Sequence, residues 1–474
     1  MSKVRFFTQA TTLMLAGLVT AQTVYAQARI PPQTLIDWGL EVYGLAVDEL
    51  KVPGSALFAE TASLSGTRSG GAGGFAYVWP ASIQFRVLNS LTQLNPTVYA
   101  PVQQAFANEL HTRYWRVQAP RGYRSGVPSS ADLFYDDNAH IAVALLDAYS
   151  LTGESVYLSR ARATIDFCLT GEDSVGGGGI YFNEVDFSFK DAISTMQTAR
   201  AGAMLFRATG DERYLTAANR LYDWAADTLQ RSNGLFWEKL YLTGSKAGTL
   251  GDNTIVNSAG IGLSTNLELY KATGDPAYVV EAQRIADISV RSYFQSSTGR
   301  INDEGFWAFE LVDGLLDLYE LDGNLRWVVA VERGLEWLHE HKRDANGHYG
   351  LFWGREGDQT TVLTSWNLID QAPVARAYLS LALVDRVQTG DFNRDGVVDG
   401  ADFLQWQREF GTAGAPGLGA DGNRDGLINA TDLAIWKSRY GADLAAVVAV
   451  PEPTGCVTMT ALAIGAFLLR RRGG

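Results

Sequence analysis

Apolar positions recur at helical spacing along most of this chain. After Asn138, for example, Ile141, Leu145 and Ala148 fall on one face. The segments so marked alternate in character. Segments 79–94, 136–151, 193–208, 254–272, 306–322 and 364–384 are rich in Ala, Gly, Ser and Leu, which suits helices packed on more than one side. Segments 33–50, 98–115, 154–169, 211–230, 275–294 and 324–342 carry more Arg, Lys, Glu and Asp, as a solvent-facing stripe should. The pattern predicts six inner and six outer helices.

The punctuation between them repeats. Leu151-Thr-Gly-Glu-Ser-Val-Tyr157 recurs as Ala208-Thr-Gly-Asp-Glu-Arg-Tyr214, as Ala272-Thr-Gly-Asp-Pro-Ala-Tyr278 and, more loosely, as Leu321-Asp-Gly-Asn-Leu-Arg-Trp327. Each copy stops one helix at Gly and starts the next on Asp, Glu or Asn. Gly153, Gly210, Gly274 and Gly323 are 57, 64 and 49 residues apart, one helical hairpin plus a long loop. Six hairpins predict an all-α fold, a closed (α/α)6 barrel, which needs no separate capping repeats. An open superhelix of hairpins is the alternative. The loops from outer to inner helices pair a Gly turn with aromatics, as in Gly176-Gly-Gly-Gly-Ile-Tyr-Phe-Asn-Glu184 and Asn346-Gly-His-Tyr-Gly-Leu-Phe-Trp353. They gather rings and polar groups at one rim. Such rings either stack on the C–H faces of sugars or close the barrel end by packing.

One inner helix opens on Phe134-Tyr135-Asp136-Asp137-Asn138-Ala139-His140. Asp and Asn at a helix start accept from the free N–H groups of the first turn, so capping alone accounts for the residue types. A carboxyl pair also meets the needs of glycosidic cleavage: one acid protonates the leaving oxygen, and one carboxylate attacks or activates water. Adjacency couples their titrations, and the helix dipole favours keeping one of them ionised. The rim position of Asp136 and Asp137 tips the reading toward catalysis.

The net charge of −13 excludes a nucleic-acid partner of the usual phosphate-neutralising kind. Cys168 and Cys456 form neither a disulfide framework nor a zinc spacing. Lys3 and Arg5, an apolar stretch from Ala10 to Ala21 and small residues near Ala26 mark residues 1–28 as a signal peptide, so the protein is expected to be exported. At the other end, Val450-Pro-Glu-Pro453, an apolar run from Cys456 to Leu469 and Arg470 to Arg472 resemble a PEP-CTERM sorting signal over residues 450–474. That resemblance implies transient membrane contact and processing by an exosortase-type peptidase; a plain C-terminal anchor is the alternative.

Two calcium-type loops follow the helical repeats. Asp391, Asn393, Asp395, Val397, Asp399 and Asp402 occupy ligand positions 1, 3, 5, 7, 9 and 12, with Gly396 at position 6. Asp421, Asn423, Asp425, Leu427, Asn429 and Asp432 repeat the pattern 30 residues later. Oxygen donors at these offsets suit a hard cation, with Val397 and Leu427 contributing carbonyls. The last ligand is Asp rather than Glu, and helices bearing Trp406 and Trp436 follow. Residues 389–443 resemble a type I dockerin, which implies two calcium ions and docking to a cohesin-like protein.

The barrel region resembles glycoside hydrolase family 76 over roughly residues 33–385. The resemblance rests on Tyr135-Asp136-Asp137-Asn138-Ala139 leading into Ala144-Leu-Leu-Asp-Ala-Tyr149, on Gly177-Gly-Gly-Ile-Tyr-Phe-Asn183 and on Lys190-Asp-Ala-Ile-Ser194. It implies a secreted hydrolase of α-mannan-like polysaccharide, acting on α-1,6 bonds, with Asp136 as nucleophile, Asp137 as general acid/base and no catalytic cofactor. Tyr135, His140, Tyr181, Asn183, Glu184 and Asn257 are the expected sugar contacts. His140 stands where the family usually has Trp, and Tyr181-Phe182 where it has a Trp pair; both changes bear on the sugar subsites. The expected organisation is a signal peptide (1–28), the barrel (29–388), the calcium-loop domain (389–443) and the sorting segment (450–474). Three alternatives remain open: a transglycosidase or lyase on the same barrel, a sugar epimerase, and a non-catalytic glycan-binding protein attached to a cohesin-type assembly. Epimerases of this shape use several barrel histidines, and of His111, His140, His339, His341 and His348 only His140 begins an inner helix.

Overall fold

The computed structural model describes residues 30–440, apart from residues 72–73, 128–131, 252, 355–358, 360, 385–389, 391, 394–397, 414–418 and 423–426. The expected signal peptide and sorting segment, and the expected ligands Asp391, Asp395, Val397, Asn423 and Asp425, lie outside the described residues.

The predicted outer helices are α1 (Pro32–Leu45), α3 (Pro96–Tyr114), α5 (Ser155–Cys168), α7 (Glu212–Thr228), α9 (Pro276–Tyr293) and α11 (Leu325–Lys342). The inner ones are α2 (Val78–Leu94), α4 (Tyr135–Thr152), α6 (Ala192–Thr209), α8 (Val256–Thr273), α10 (Gly305–Asp322) and α12 (Leu368–Leu383). Two boundaries differ from expectation. The first helix ends its α geometry at Leu45 and finishes in a π-helical turn, Ala46–Leu50. The last inner helix starts at Leu368 because Ser365–Asn367 is drawn into a strand by pairing with Thr61–Ser63, a long-range contact that periodicity does not report.

Five short strands brace the loops: β1 (Thr61–Ser63), β2 (Arg68–Ser69), β3 (Phe189–Asp191), β4 (Lys239–Tyr241) and β5 (Ser365–Asn367). The order β2-β1-β5 ties the first long loop to the entry of α12, with Thr61 opposite Asn367. β3 and β4 pair antiparallel with Lys190 opposite Leu240, joining the entry of α6 to the loop before α8.

Each inner helix packs on the next, α2 on α4, α4 on α6, α6 on α8, α8 on α10 and α10 on α12, and α12 returns to α2. The last inner helix also packs on α1, the first outer one, so the ring closes and the open superhelix is excluded. At the far ends of the hairpins Gly153, Gly210, Gly274 and Gly323 all adopt left-handed backbone, with φ between 69° and 74°, which Gly enters without steric cost. Asp211, Asp275 and Asn324 then cap the next helix by accepting from N–H groups two residues on.

Close inner packing depends on small residues. A Cβ on Gly260 of α8 would lie 2.4 Å from the backbone nitrogen of Leu311 and 2.5 Å from the carbonyl carbon of Glu310, both on α10. Gly260→Ala is therefore expected to push two inner helices apart and cost about 1–3 kcal/mol, despite Ala's better helix propensity. Urea unfolding of the two proteins measures it, and an unchanged midpoint would show that the α8–α10 contact yields freely.

Beyond the barrel, α13 (Gly400–Glu409) and α14 (Ala430–Arg439) carry matching capping boxes, Asp399 with Asp402 and Asn429 with Asp432. Phe392, Ala420 and Ile428 form their core, with Trp406 and Trp436 packed against it. The two repeats exchange bonds: Trp406 Nε1 donates to the Asn429 carbonyl and Trp436 Nε1 to the Asp399 carbonyl, each at 2.8 Å.

Candidate active site

Every inner helix begins at the same mouth of the barrel, and most of their first turns carry polar atoms without partners. Trp79 Nε1 (α2), Asp136 Oδ1 (α4), Ser194 Oγ (α6), both amide atoms of Asn257 (α8) and Asp370 Oδ1 (α12) are each buried with no hydrogen-bond partner among the described residues. Folded proteins seldom leave such groups unmade without a reason. Five of six first turns doing so at one pole marks a surface built to receive a hydroxyl-rich ligand.

Asp136 and Asp137 are in the first turn of α4. Their entry is fixed by Phe134, which precedes the helix in extended backbone and bridges Asn183, and by the Tyr135 N–H, which donates to the Phe182 carbonyl at 2.9 Å. Asn138, wholly buried, holds the preceding loop by accepting from the Tyr123 N–H at 2.7 Å and donating to its carbonyl at 2.9 Å. Asn138, not the acidic pair, thus anchors the helix start to its neighbour. No side chain caps α4, although two carboxylates stand in its first turn. The pair therefore does not supply the N-cap of α4, although first-turn amides still bond Asp136.

Electrostatics sets the pair apart. Burial pushes the Asp137 carboxyl up to about 7. Asp136 is raised well above the ordinary carboxylate range, first by burial, then by repulsion from Asp137 and Asp191; the backbone amides of the first turn oppose the rise. Two like charges this close cannot both ionise freely, so the pair sheds its protons in two separated steps and holds a single proton between them.

That third group, Asp191, was not singled out by the sequence. It ends β3 and caps α6, accepting from the Ser194 N–H at 2.6 Å, and burial raises it to about 6. Its signal was its place directly before an inner helix, at the same mouth as the first turn of α4 that carries Asp136 and Asp137. Trp79, Ser194 and Asp370 hold equivalent first-turn positions and were also missed. Half-buried Trp79, Phe306 and Trp307 form a continuous aromatic edge, with ring centroids 5.1 and 5.0 Å apart in edge-on contacts.

The expected sugar contacts divide by environment. Asn257 is 1% exposed and wholly unpartnered, one turn into the mouth. His140, also buried, bonds Gln197 at 3.0 Å and lies 3.3 Å from Glu310, one turn below Asp136. Tyr135 is buried with its ring stacked on Phe167 at 4.9 Å. Tyr181 donates to Asp173 at 2.9 Å and is faced by the Lys190 ammonium 4.6 Å from its ring. Asn183 closes a turn, accepting from the Val185 and Asp186 N–H groups. Glu184 pairs with Arg116.

A closed ring of helical hairpins with a proton-sharing carboxylate pair at one mouth defines a glycan-active (α/α)6 barrel. Residues 61–308 match Glycosyl hydrolase family 76, and the chain belongs to that family; it is a glycoside hydrolase. Residues 389–439 match the Dockerin type I domain. No curated protein matches the chain by sequence. Among solved structures the chain is similar to a family 76 α-mannanase of Bacteroides thetaiotaomicron, at 27% identity and TM-score 0.67, over 73% of this chain and 95% of that one. It is also similar in fold to an inactive variant of a Salegentibacter α-1,6-mannanase, two consecutive aspartates replaced by asparagine, in complex with α-1,6-mannotriose (20% identity, TM-score 0.63, 74% and 99% covered). The cellobiose 2-epimerase of Bacillus thermoamylovorans shares the fold at 14% identity and TM-score 0.61, over 75% of this chain and all of that one. The barrel alone therefore does not select hydrolysis over epimerisation.

Proposed function

We propose that the protein is a retaining hydrolase of α-1,6-linked mannan. The observation that carries this reading is the buried, coupled pair Asp136–Asp137 at a mouth ringed by unpartnered polar atoms. Residues on successive positions suit the short carboxyl separation of double displacement better than the wider gap that an inverting water requires. Asp136 attacks the anomeric carbon and forms a glycosyl ester, while Asp137 gives its proton to the departing oxygen. Asp137 then takes a proton from the incoming water, which opens the ester with a second inversion. Asn257 bonds sugar hydroxyls, and the edge formed by Trp79, Phe306 and Trp307 faces the pyranose C–H surfaces. The α-mannan class is supported by the name of the Bacteroides enzyme, and the α-1,6 preference by the substrate named for the Salegentibacter enzyme.

The dockerin domain carries two calcium ions in this reading. The described donors fit a hard cation: Asp402 and Asp432 are wholly buried carboxylates, each held by backbone N–H groups at 2.7–2.9 Å. All the expected ligand atoms are oxygens. Bound calcium would draw each loop around its terminal Asp, and the domain would attach the exported enzyme to a cohesin-like protein.

One experiment tests both parts. The full chain is incubated with a panel of α-mannans, with and without a calcium chelator, and the products are followed by mass and by proton NMR of the newborn anomeric centre. The expected result is α-configured reducing ends from α-1,6-mannan in both arms, with only the C-terminal domain's resonances collapsing on chelation. β-Configured first products would remove the retaining mechanism. Unsaturated ends would make the protein a lyase, and an unchanged C-terminal domain would remove the calcium.

A further inference from the structure

The barrel has a cavity at the pole away from the carboxylate pair. It is about 470 Å³ in volume and is lined from the distal halves of the inner helices. Asp147 on its wall is ten residues beyond Asp137, about 15 Å along α4. Five cations face it: Arg86, Arg200, Arg207, Lys271 and Arg376.

Their counter-charges are oversubscribed. Glu310 takes Arg86 at 2.7 Å and Arg200 at only 3.4 Å. Asp313 takes Arg86 at 2.8 Å and Arg376 at 3.0 Å. Glu268 takes Arg207 at 2.5 Å and Lys271 at 2.7 Å. Three carboxylates thus serve five cations. Two further carboxylates, Asp147 and Asp317, line the cavity but ion-pair with none of them among the described residues. Burial raises both, Asp317 to about 6, while the facing arginines and Lys271 oppose the rise, so these two carboxylates balance the cations only at longer range. Arg200, 5% exposed, is left with one long bond, and its Nε and that of Arg86 are buried without partners. A guanidinium so placed is expensive unless something completes its bonds.

We propose that this cavity is a binding site for an oxyanion of the phosphate type, free or carried on a sugar, held by Arg200 at the floor and by Arg207 and Lys271 at the mouth. A guanidinium presents two N–H groups to two oxygens of such an ion, and the ammonium supplies a third charge-assisted bond. The volume admits a phosphorylated monosaccharide as well as the bare ion. The site is separate from the catalytic mouth and independent of the substrate assigned there.

Calorimetric titration of the full chain tests this, with inorganic phosphate in one arm and mannose 6-phosphate in the other, against chloride at equal ionic strength. One saturable site per chain is expected. The double variant Arg207→Gln/Lys271→Gln, which alters only partly exposed side chains, should weaken it about tenfold or more. Glu268→Gln should do the opposite, because it releases both cations from their shared carboxylate. Tighter binding of the sugar phosphate would assign the site to a phosphorylated saccharide, and equal binding to the ion itself. Absence of saturable binding in both arms, or equal affinities in the wild type and the double variant, would overturn the proposal.

Discussion

Asp137→Asn is expected to lower hydrolysis of α-mannan by about 10³-fold or more while making the folded protein harder to melt at neutral pH. The first effect follows from removing the acid that protonates the leaving oxygen. The second follows from linkage. Burial raises the Asp137 carboxyl to about 7 in the folded chain, against about 4 when unfolded. The folded state therefore binds the proton more tightly, and the stability this confers is full below about pH 4 and is lost as pH rises through about 7. Asparagine has no charge to bury, so the variant gains on the order of 1–3 kcal/mol relative to wild type above pH 7. An inactive variant that melts higher rules out misfolding as the cause of inactivity. In the wild type, kcat/KM should fall tenfold per pH unit above about 7 as the acid loses its proton.

The two aspartates separate on an activated substrate. With α-mannosyl fluoride, whose leaving group needs no proton, Asp137→Asn should recover most of its rate and Asp136→Asn none. The reverse pattern would exchange their roles. Full activity on mannan in either variant would end the two-carboxylate mechanism.

Arg86→Leu is expected to destabilise the barrel by about 3–5 kcal/mol, a larger loss than any surface change should give. Arg86 is 1% exposed between α2 and α10, bonded to Glu310 and Asp313. Removing it leaves buried Glu310 with only the long bond to Arg200 and His140 nearby, and buried Asp313 with Arg376 and Ser380, so the cost is largely that of two carboxylates short of positive charge. Arg86→Leu combined with Asp313→Asn should then recover part of the loss, since the amide oxygen still accepts from Arg376 or Ser380 without a charge to bury. Urea unfolding of the three proteins decides it; a change under about 1 kcal/mol for Arg86→Leu would mean that water reaches the carboxylates.

The helices were legible because their signals are local. Each inner segment is small and apolar around most of its circumference, each outer one is striped, and Gly153, Gly210, Gly274 and Gly323 fall where the backbone turns left-handed. The acidic pair was legible for a similar reason, being contiguous in the chain. Its neighbours were not. Asp191, Trp79 and Asp370 are separated from Asp136 by tens or hundreds of residues, and only ring closure sets their helix starts at one mouth. Loop aromatics misled in a complementary way. Tyr181 looks like a rim ring in sequence, yet its hydroxyl bonds Asp173 at 2.9 Å, and the Gly loop before it is packed by Trp224 of α7, whose indole lies over Gly178 and Gly179 and bonds the Gly176 carbonyl at 2.9 Å. The choice between stacking on sugar and packing a loop is made by what stands opposite each ring, which no local pattern records. The cavity at the opposite pole was invisible for the same reason, since its five cations come from four different helices.

The seam between α12 and α1 carries a kinetic consequence. It joins residues 368–383 to residues 32–45, so the last stave of the cask is cut from the far end of the chain. Hairpins such as α4–α5 or α6–α7 can dock as soon as they are made, but the hoop cannot lock until more than three hundred residues have arrived. Contacts so remote in sequence form slowly. A nascent chain must therefore spend an interval as an open arc with its small-residue faces wet, and that interval is when helper proteins have most to protect.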